Sequence, residues 1–316
     1  MAWVFCLGML VMIYTASSRA ATLVDKQPGS SASSQTKARP AGSQEATGDY
    51  KWNVVTTAEG RTLIARDPYD PLNYVQASLA AYQQGKLNVA VDLLEEGSRV
   101  AEPSALLQLA LGALYLELGR LADAESVTQK ALELEPDNLD AKVQIGQIMN
   151  QTGLHHEARA YFTQVLGIDR EHPEAQLGLA ISLLEAGAVK EAERQCRLYL
   201  NEDAARKELW IVLGECLEHQ ERLREAFNCY GKALAIDADL AGAHSRRGRL
   251  FCRFGQFEAA AAECRTALKL DPDDPLAHAY LSIACSRLGQ KAAATHHARR
   301  AEEGGMHMRS ALSELE

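Results

Sequence analysis

Small and apolar residues return along this chain with a period of 34 residues. From residue 71 onward the sequence can be written as seven rows of 34 without an insertion or a deletion. Positions 4, 7, 8 and 11 of a row form one stripe, which in the second row is Gln108, Leu111, Gly112 and Tyr115. This spacing is typical of one face of an α-helix. A second stripe follows in each row, so the pattern predicts two helices per row.

Three positions of the row indicate how its two helices pair. Position 20 is alanine in all seven rows, and position 8 is glycine, alanine or serine in each. Small residues let two helices pack closely, and we expect position 8 to face position 20. Position 15 is glycine in six rows and Glu221 in the fifth. Because glycine adopts left-handed backbone angles without strain, position 15 predicts the end of the first helix.

A single helix hairpin of this kind leaves an apolar face uncovered, and stacking on the next hairpin buries it. The pattern therefore predicts an all-α fold, an α-solenoid of about seven stacked hairpins. The seven repeats are residues 71–104, 105–138, 139–172, 173–206, 207–240, 241–274 and 275–308.

These rows resemble the tetratricopeptide repeat. The resemblance rests on the period, the small residue at position 8, the alanine at position 20 and a proline at position 32, which is Pro136 or Pro272 in two rows. The family's aromatic residue at position 4 occurs here only as Tyr74 and Trp210. The resemblance implies a right-handed superhelix whose first helices line a concave groove that holds protein partners.

Residues at positions 2, 5, 6, 9 and 13 lie off the packing stripe of the first helix, so the resemblance places them in that groove. The apolar members at the front of the stack are Leu72, Val75, Leu79, Leu106 and Leu109. An exposed apolar groove usually marks a binding site. Residues 50–55, a partner helix or another copy of the chain could fill it.

Charged groove residues follow further along the chain. Acidic members are Glu174, Glu185, Glu208 and Glu215, and basic members are Arg246, Arg249, Arg253 and Arg287. The first three arginines share one helix face, so they repel one another unless negative charge lies nearby. A partner's carboxylates, a peptide C-terminus or neighbouring glutamates could supply that charge.

The sequence around the repeats divides by composition. Residues 1–21 contain an apolar run of the length found in signal peptides, which predicts a signal peptide or a membrane anchor. Residues 22–49 are rich in Ser, Gly, Pro and Gln and predict a disordered linker. We expect an N-terminal strap and a degenerate half repeat over 50–70, and a C-terminal cap or tail over 309–316.

Composition and motifs argue against an enzyme. The net charge of −9 repels phosphate backbones, so we expect no nucleic-acid partner. The sequence has no glycine-rich phosphate loop and no nucleophile elbow, so we predict no catalytic residue and no cofactor. Histidines and methionines near the C-terminus could bind copper, but a solvated terminal helix explains them more simply, and we predict no metal site.

Six cysteines fall in the last four repeats. Paired in order, they would staple each of these repeats to the next in an oxidising compartment. The other interpretation is that cysteine is a small apolar filler at packing positions. The residues are Cys196, Cys216, Cys229, Cys252, Cys264 and Cys285.

The sequence thus predicts a non-enzymatic scaffold that binds one or more proteins or peptides in the groove. We expect it to be exported or membrane-tethered, in the periplasm or another extracytoplasmic space. By analogy with the family, it would assist assembly of an envelope complex for secretion, a pilus or polysaccharide export. Two alternatives stay open: a regulatory or substrate-recruiting subunit of a separate enzyme such as a glycosyltransferase, and a redox or metal-handling protein. The sequence leaves the oligomeric state open.

Overall fold

A computed structural model describes residues 67–313 of the chain. The predicted leader, the linker, residues 50–66 of the strap and residues 314–316 lie outside this range. Within it the regular elements are helices, without a strand. The prediction of an all-α repeat fold is therefore confirmed.

The described helices form seven hairpins and a short final helix. Their bounds are α1 (Pro71–Gln83) with α2 (Leu87–Val100), α3 (Ala105–Glu117) with α4 (Leu121–Leu134), α5 (Leu139–Gln151) with α6 (His155–Ile168), α7 (Pro173–Glu185) with α8 (Val189–Glu202), α9 (Lys207–Glu218) with α10 (Leu223–Ile236), α11 (Ala241–Arg253) with α12 (Phe257–Leu270), α13 (Pro275–Arg287) with α14 (Lys291–Glu303), and α15 (Met308–Ser313).

The chain divides into two compact units on either side of Ile148. In the first unit α1 packs on α2 and α3, α2 packs on α3, and α3 packs on α4. In the second unit each helix from α6 to α14 packs on the helix that follows it. First helices also contact one another there, α7 with α9 and α11 with α13. This stacking buries the face that a lone hairpin would expose.

The ends of the first helices follow from local backbone chemistry. Proline is the first residue of α1, α7 and α13, a position where its missing N–H costs no hydrogen bond. Asp274 caps α13, because its carboxylate accepts the Leu276 N–H at 2.9 Å. The turn after each first helix has a left-handed residue at position 15, which is glycine with φ between 70° and 83° in six repeats. In the described residues Glu221, with φ 57°, is the one non-glycine in that region.

Position 8 of the first helix lies mainly against position 24 of the second helix. A Cβ added to Gly214 would lie 2.5 Å from Cε1 of Tyr230, and one added to Gly248 would overlap Sγ of Cys264. The expectation that position 8 faces position 20 is therefore wrong in its main contact. Only the Ala260 carbonyl, at 3.4 Å from the added Cβ of Gly248, represents position 20 there.

A side-chain hydrogen bond braces the turn between consecutive repeats of the second unit. The residue at position 4 donates an N–H to the backbone carbonyl at position 32 of the preceding repeat. The four bonds are Gln176 Nε2 to Arg170 O (2.8 Å), Trp210 Nε1 to Ala204 O (2.9 Å), His244 Nε2 to Ala238 O (3.0 Å) and His278 Nε2 to Pro272 O (3.0 Å). A carbonyl can only accept, so both histidines carry a proton on Nε2. The brace fixes the entry of the first helix of each of these repeats.

Candidate functional site

Three ion pairs connect the first-helix layer of the fifth and sixth repeats. Arg246 Nε lies 2.7 Å from Glu215 Oε1, and Arg249 Nη2 lies 2.7 Å from Glu218 Oε1. Arg253 Nη2 lies 2.7 Å from Glu221 Oε2. We call these six residues the arginine–glutamate ladder.

The ladder forms because both helices present charge at helical spacing. Glu215 and Glu218 are three residues apart on α9, and the matching Arg246 and Arg249 are three apart on α11. Glu221 lies in the left-handed turn that follows α9, where it reaches the last residue of α11. Each pair therefore joins one repeat to the next.

The middle rung of the ladder is the most buried. The Glu218 side chain is 8% exposed, and it also accepts a hydrogen bond from the Tyr230 hydroxyl. Burial, reinforced by the charge of Glu218, raises the pKa of Tyr230 well above its usual value, so the hydroxyl stays protonated and donates. Arg249 is 20% exposed and pairs with the same carboxylate. Glu218 thus ties α9 to both α10 and α11.

The ladder answers where the negative charge near the three arginines comes from. Of the three sources that the sequence left open, the structure has the neighbouring glutamates. Arg246, Arg249 and Arg253 are therefore not unpaired cations awaiting an anionic partner. Arg287 differs, because it is exposed, lies 5.8 Å from the Phe257 ring centroid and makes no ion pair within residues 67–313.

Acidic groove residues keep different degrees of freedom. Glu174 Oε2 lies 3.3 Å from His172 Nδ1, and Glu208 is half-buried. Glu185, at the end of α7, is exposed. The exposed charges on the first helices of the second unit are thus Glu185 at one end and Arg287 at the other.

The apolar groove residues of the first unit differ from one another in depth. Val75 is 0% exposed and Leu109 is 2% exposed, so both are core residues and not an open surface. Position 5 is buried in the second unit as well, as at Ile211 and Ala279, because it lies on the side of the first helix that packs inside the stack. Leu72 is exposed, and Leu79 and Leu106 are half-buried. Partner binding by these three remains a prediction.

A second charged cluster was not predicted. Glu193 on α8 accepts hydrogen bonds from Arg222 Nη1 at 2.8 Å and from Gln220 Nε2 at 2.7 Å. Burial raises the pKa of Glu193, but the bonds from Gln220, Arg197 and Arg222 outweigh it and lower the pKa to about 2. The only available signal was the period itself, since Glu193 and Arg222 meet only when neighbouring repeats are laid side by side.

The six cysteines are all buried free thiols in the structure. They occupy packing positions within the helices, and the proposed staples are not formed among them. Burial raises the pKa of Cys252 to about 12, and contact with Cys216 together with burial raises the pKa of Cys196. These thiols are therefore protonated at neutral pH and are poor nucleophiles.

Two further site classes can be checked over residues 67–313. Within that range no cluster of three or more His, Cys, Asp or Glu side chains could hold a metal ion. His278 and His297 do approach, with 3.0 Å between their Nδ1 atoms, but they form a pair. Over the same residues, none of the helices combines the length and the apolar character needed to cross a bilayer.

The stacked hairpins, the small residue at position 8 and the left-handed turn at position 15 define a helical-hairpin repeat protein. Models of the tetratricopeptide repeat match residues 105–138, 151–216, 207–240 and 245–306, together more than half of the chain. The chain belongs to the tetratricopeptide repeat family. It is a repeat scaffold for protein–protein interaction.

Relatives with names come from larger proteins. Tetratricopeptide repeat protein 7B of Homo sapiens is 30% identical over 125 residues, which are 40% of this chain and 15% of that protein. Protein O-mannosyl-transferase TMTC1 of Homo sapiens is 26% identical over 196 residues, 61% of this chain and 22% of that protein. DnaJ homolog subfamily C member 3 of Homo sapiens is 26% identical over 219 residues, 64% of this chain and 44% of that protein. The chain spans less than half the length of each of these relatives.

Solved structures share the fold. A tetratricopeptide repeat protein from Parabacteroides merdae matches with a TM-score of 0.63 at 20% identity, over 71% of this chain and 90% of that one. The APC/C hetero-tetramer Cut9–Hcn1 matches with a TM-score of 0.63 at 16% identity, over 81% of this chain and 51% of that one. At these identities the likeness concerns the fold alone.

Proposed function

We propose that the chain is a non-enzymatic scaffold that holds partner proteins on its first helices and helps assemble an envelope complex outside the cytoplasm. The observation that carries the binding face is the pair of exposed charges, Glu185 and Arg287, that the first helices of the second unit leave without an ion pair in the described chain. Unpaired charge on a rigid repeat surface favours electrostatic steering of a partner. The ladder between them holds the repeats together and is already neutral.

Photo-crosslinking tests this face in the native cell. A photoreactive amino acid is placed at position 287 or 185 of the full chain, and the matched control is position 265, where exposed Arg265 lies on second helix α12. We expect partner polypeptides to be captured from 287 and 185 and not from 265. Capture from 265 alone, or equal capture from all three, would reject the first-helix face.

Export is proposed on the apolar run in residues 1–21 and the polar composition of residues 22–49. Sequencing the mature N-terminus by mass spectrometry, together with protease protection of the full chain in intact cells, tests it. A processed or anchored chain that external protease reaches after outer-barrier disruption is expected. A full-length chain recovered from the cytoplasm would overturn the proposed location and leave the binding face untouched.

A second candidate is a regulatory or substrate-recruiting subunit of a separate glycosyltransferase. It is favoured by the similarity to TMTC1 and to protein O-mannosyl-transferase TMTC3 of Homo sapiens, the latter 24% identical over 220 residues. The chain covers 22% and 24% of those proteins. Glycosyl transfer by the crosslinked complex, and none by the purified chain, would select this candidate over the assembly scaffold.

A further inference from the structure

A pocket of about 420 Å³ opens between second helices α8 and α10, with first helix α9 beneath it. This volume lies in the range of small-ligand sites. Its floor is apolar and buried, formed by Leu200, Leu213, Leu217 and Cys229. None of its lining residues occupies the row positions that the resemblance assigns to the groove. The pocket is thus a separate surface feature.

The rim of the pocket combines an aromatic wall with a cation. The Trp210 indole is fixed by its hydrogen bond to Ala204 O, and Lys232 Nζ lies 4.0 Å from the ring centroid. Lys232 is exposed and forms no ion pair within the described residues. Arg197, by contrast, pairs with Glu193 at 2.8 Å and with Glu225 at 3.8 Å. Lys232 is therefore the rim cation whose charge is not answered.

The field of that cation reaches the floor. Burial raises the pKa of Cys229 to about 11, whereas the charges of Lys232 and then Arg197 act in the opposite direction. The floor is thus apolar but lies in a positive potential, which suits an anionic group carried on an apolar one.

The equivalent cleft one repeat later is filled by the chain itself. Arg247 stands where Leu213 stands, and its guanidinium lies 4.7 Å from the Phe227 ring centroid. Glu263 stands where Cys229 stands, and its carboxylate lies 3.3 Å from Arg247 Nη1. That cleft therefore contains a cation, an aromatic ring and a carboxylate. The α8–α10 pocket has the cation and the ring, and lacks both the filling side chain and the carboxylate.

We propose that the α8–α10 pocket binds the C-terminal residue of a partner polypeptide, with an aliphatic side chain on the apolar floor and the terminal carboxylate beside Lys232. One residue then supplies both groups that this cleft lacks. The exposed amides of Asn201 and Asn228 at the rim can hydrogen-bond the peptide backbone. The site does not rest on the first-helix face proposed above.

The probe is acetyl-Gly-Leu with a free carboxylate, compared with its C-terminal amide and with acetyl-Gly-Ser. The full chain is labelled with 5-fluorotryptophan, and the Trp210 resonance is assigned with Trp210→Phe and followed by ¹⁹F NMR. We expect the Trp210 signal to shift with acetyl-Gly-Leu at up to about 10 mM, and each comparison peptide to bind about tenfold more weakly. Equal binding of the acid and the amide, or no shift at all, would overturn the proposal.

Charge reversal locates the carboxylate. Lys232→Glu is expected to weaken acetyl-Gly-Leu binding by about tenfold or more. The matched control is Thr266→Glu, which places the same charge at the same position of the next repeat and should leave binding unchanged. Both sites are at the helix surface, and thermal unfolding verifies that each variant is folded. Equal loss in the two variants would assign the effect to overall charge and reject the site.

Discussion

At the scale of single residues, the absence of a side chain sets how closely α11 and α12 approach. Gly248 leaves room for the Cys264 thiol, which is fully buried. Interiors are packed densely, so an added methyl group there must displace the second helix or the thiol.

Gly248→Ala should therefore lower the free energy of unfolding by about 1–3 kcal/mol. Urea unfolding followed by circular dichroism measures it. The control is Gly231→Ala on α10, where an added Cβ meets nothing within 4 Å. Because alanine favours helix over glycine, that control should gain about 0.5–1 kcal/mol. Adding Cys264→Ala to Gly248→Ala should recover part of the loss, and a loss that is unchanged would show that the thiol is not the obstacle.

Two histidines form another residue-scale device. His278 donates from Nε2 to the Pro272 carbonyl, so neutral His278 accepts at Nδ1 and His297 donates there. Burial, followed by the nearby His278, His296 and Arg265, lowers the pKa of His297 to about 4. The folded protein thus keeps His297 neutral where a free histidine, with a pKa near 6.5, would take up a proton.

This pair predicts a pH dependence with a definite sign. Between pH 6.5 and about 4 the unfolded chain binds a proton at residue 297 that the folded chain does not, so stability falls as the pH falls through that window. Urea midpoints measured across the window should fall less steeply in His297→Gln, which retains an N–H donor. The comparison variant is His307→Gln, an exposed residue, and a slope equal to wild type in His297→Gln would contradict the assignment.

At the scale of elements, Glu218 stabilises the packing of three helices through one carboxylate. It accepts from Tyr230 on α10 and from Arg249 on α11 while lying on α9 itself. Removing one partner of such a pair leaves the other charge buried and unanswered, which costs more than the pair contributes.

Glu218→Leu is expected to lower the free energy of unfolding by roughly 3 kcal/mol. The double variant Glu218→Leu/Arg249→Met replaces the pair with apolar groups and should recover most of that loss. Glu221→Gln is the control, because Glu221 is 72% exposed and its pair with Arg253 contributes less than about 1 kcal/mol. Additive losses in the double variant would mean that the two side chains are not coupled.

The sequence could predict the arginine face of α11 but not its partners. Spacing along one helix fixes which side chains share a face, so Arg246 and Arg249 follow from periodicity. The distance to Glu215 and Glu218 depends on how two repeats are offset, and position numbers within a row do not contain that offset. For the same reason position 8 was assigned to position 20, although positions 20 and 24 lie on the same helix face.

At the scale of the whole molecule, the repeat fold was predictable because the same physical requirement recurs seven times. Any one row is weak evidence, but small residues, turns and apolar stripes in constant register admit few other folds. Depth was harder to predict. Val75 and Leu109 are apolar in both the exposed and the buried interpretation, and only the stacked structure shows that they are core. The α8–α10 pocket depends on three helices together and leaves no mark in any one of them.

The brace at position 4 has a consequence for how such a chain can change. Glutamine, tryptophan and histidine serve there in turn, and what they have in common is a proton on nitrogen at the right reach from the backbone. The joint between repeats therefore selects for a hydrogen-bond donor and is indifferent to the shape that carries it. A chain built this way can exchange aromatic, basic and amide residues at its joints while each new unit still docks in the same orientation.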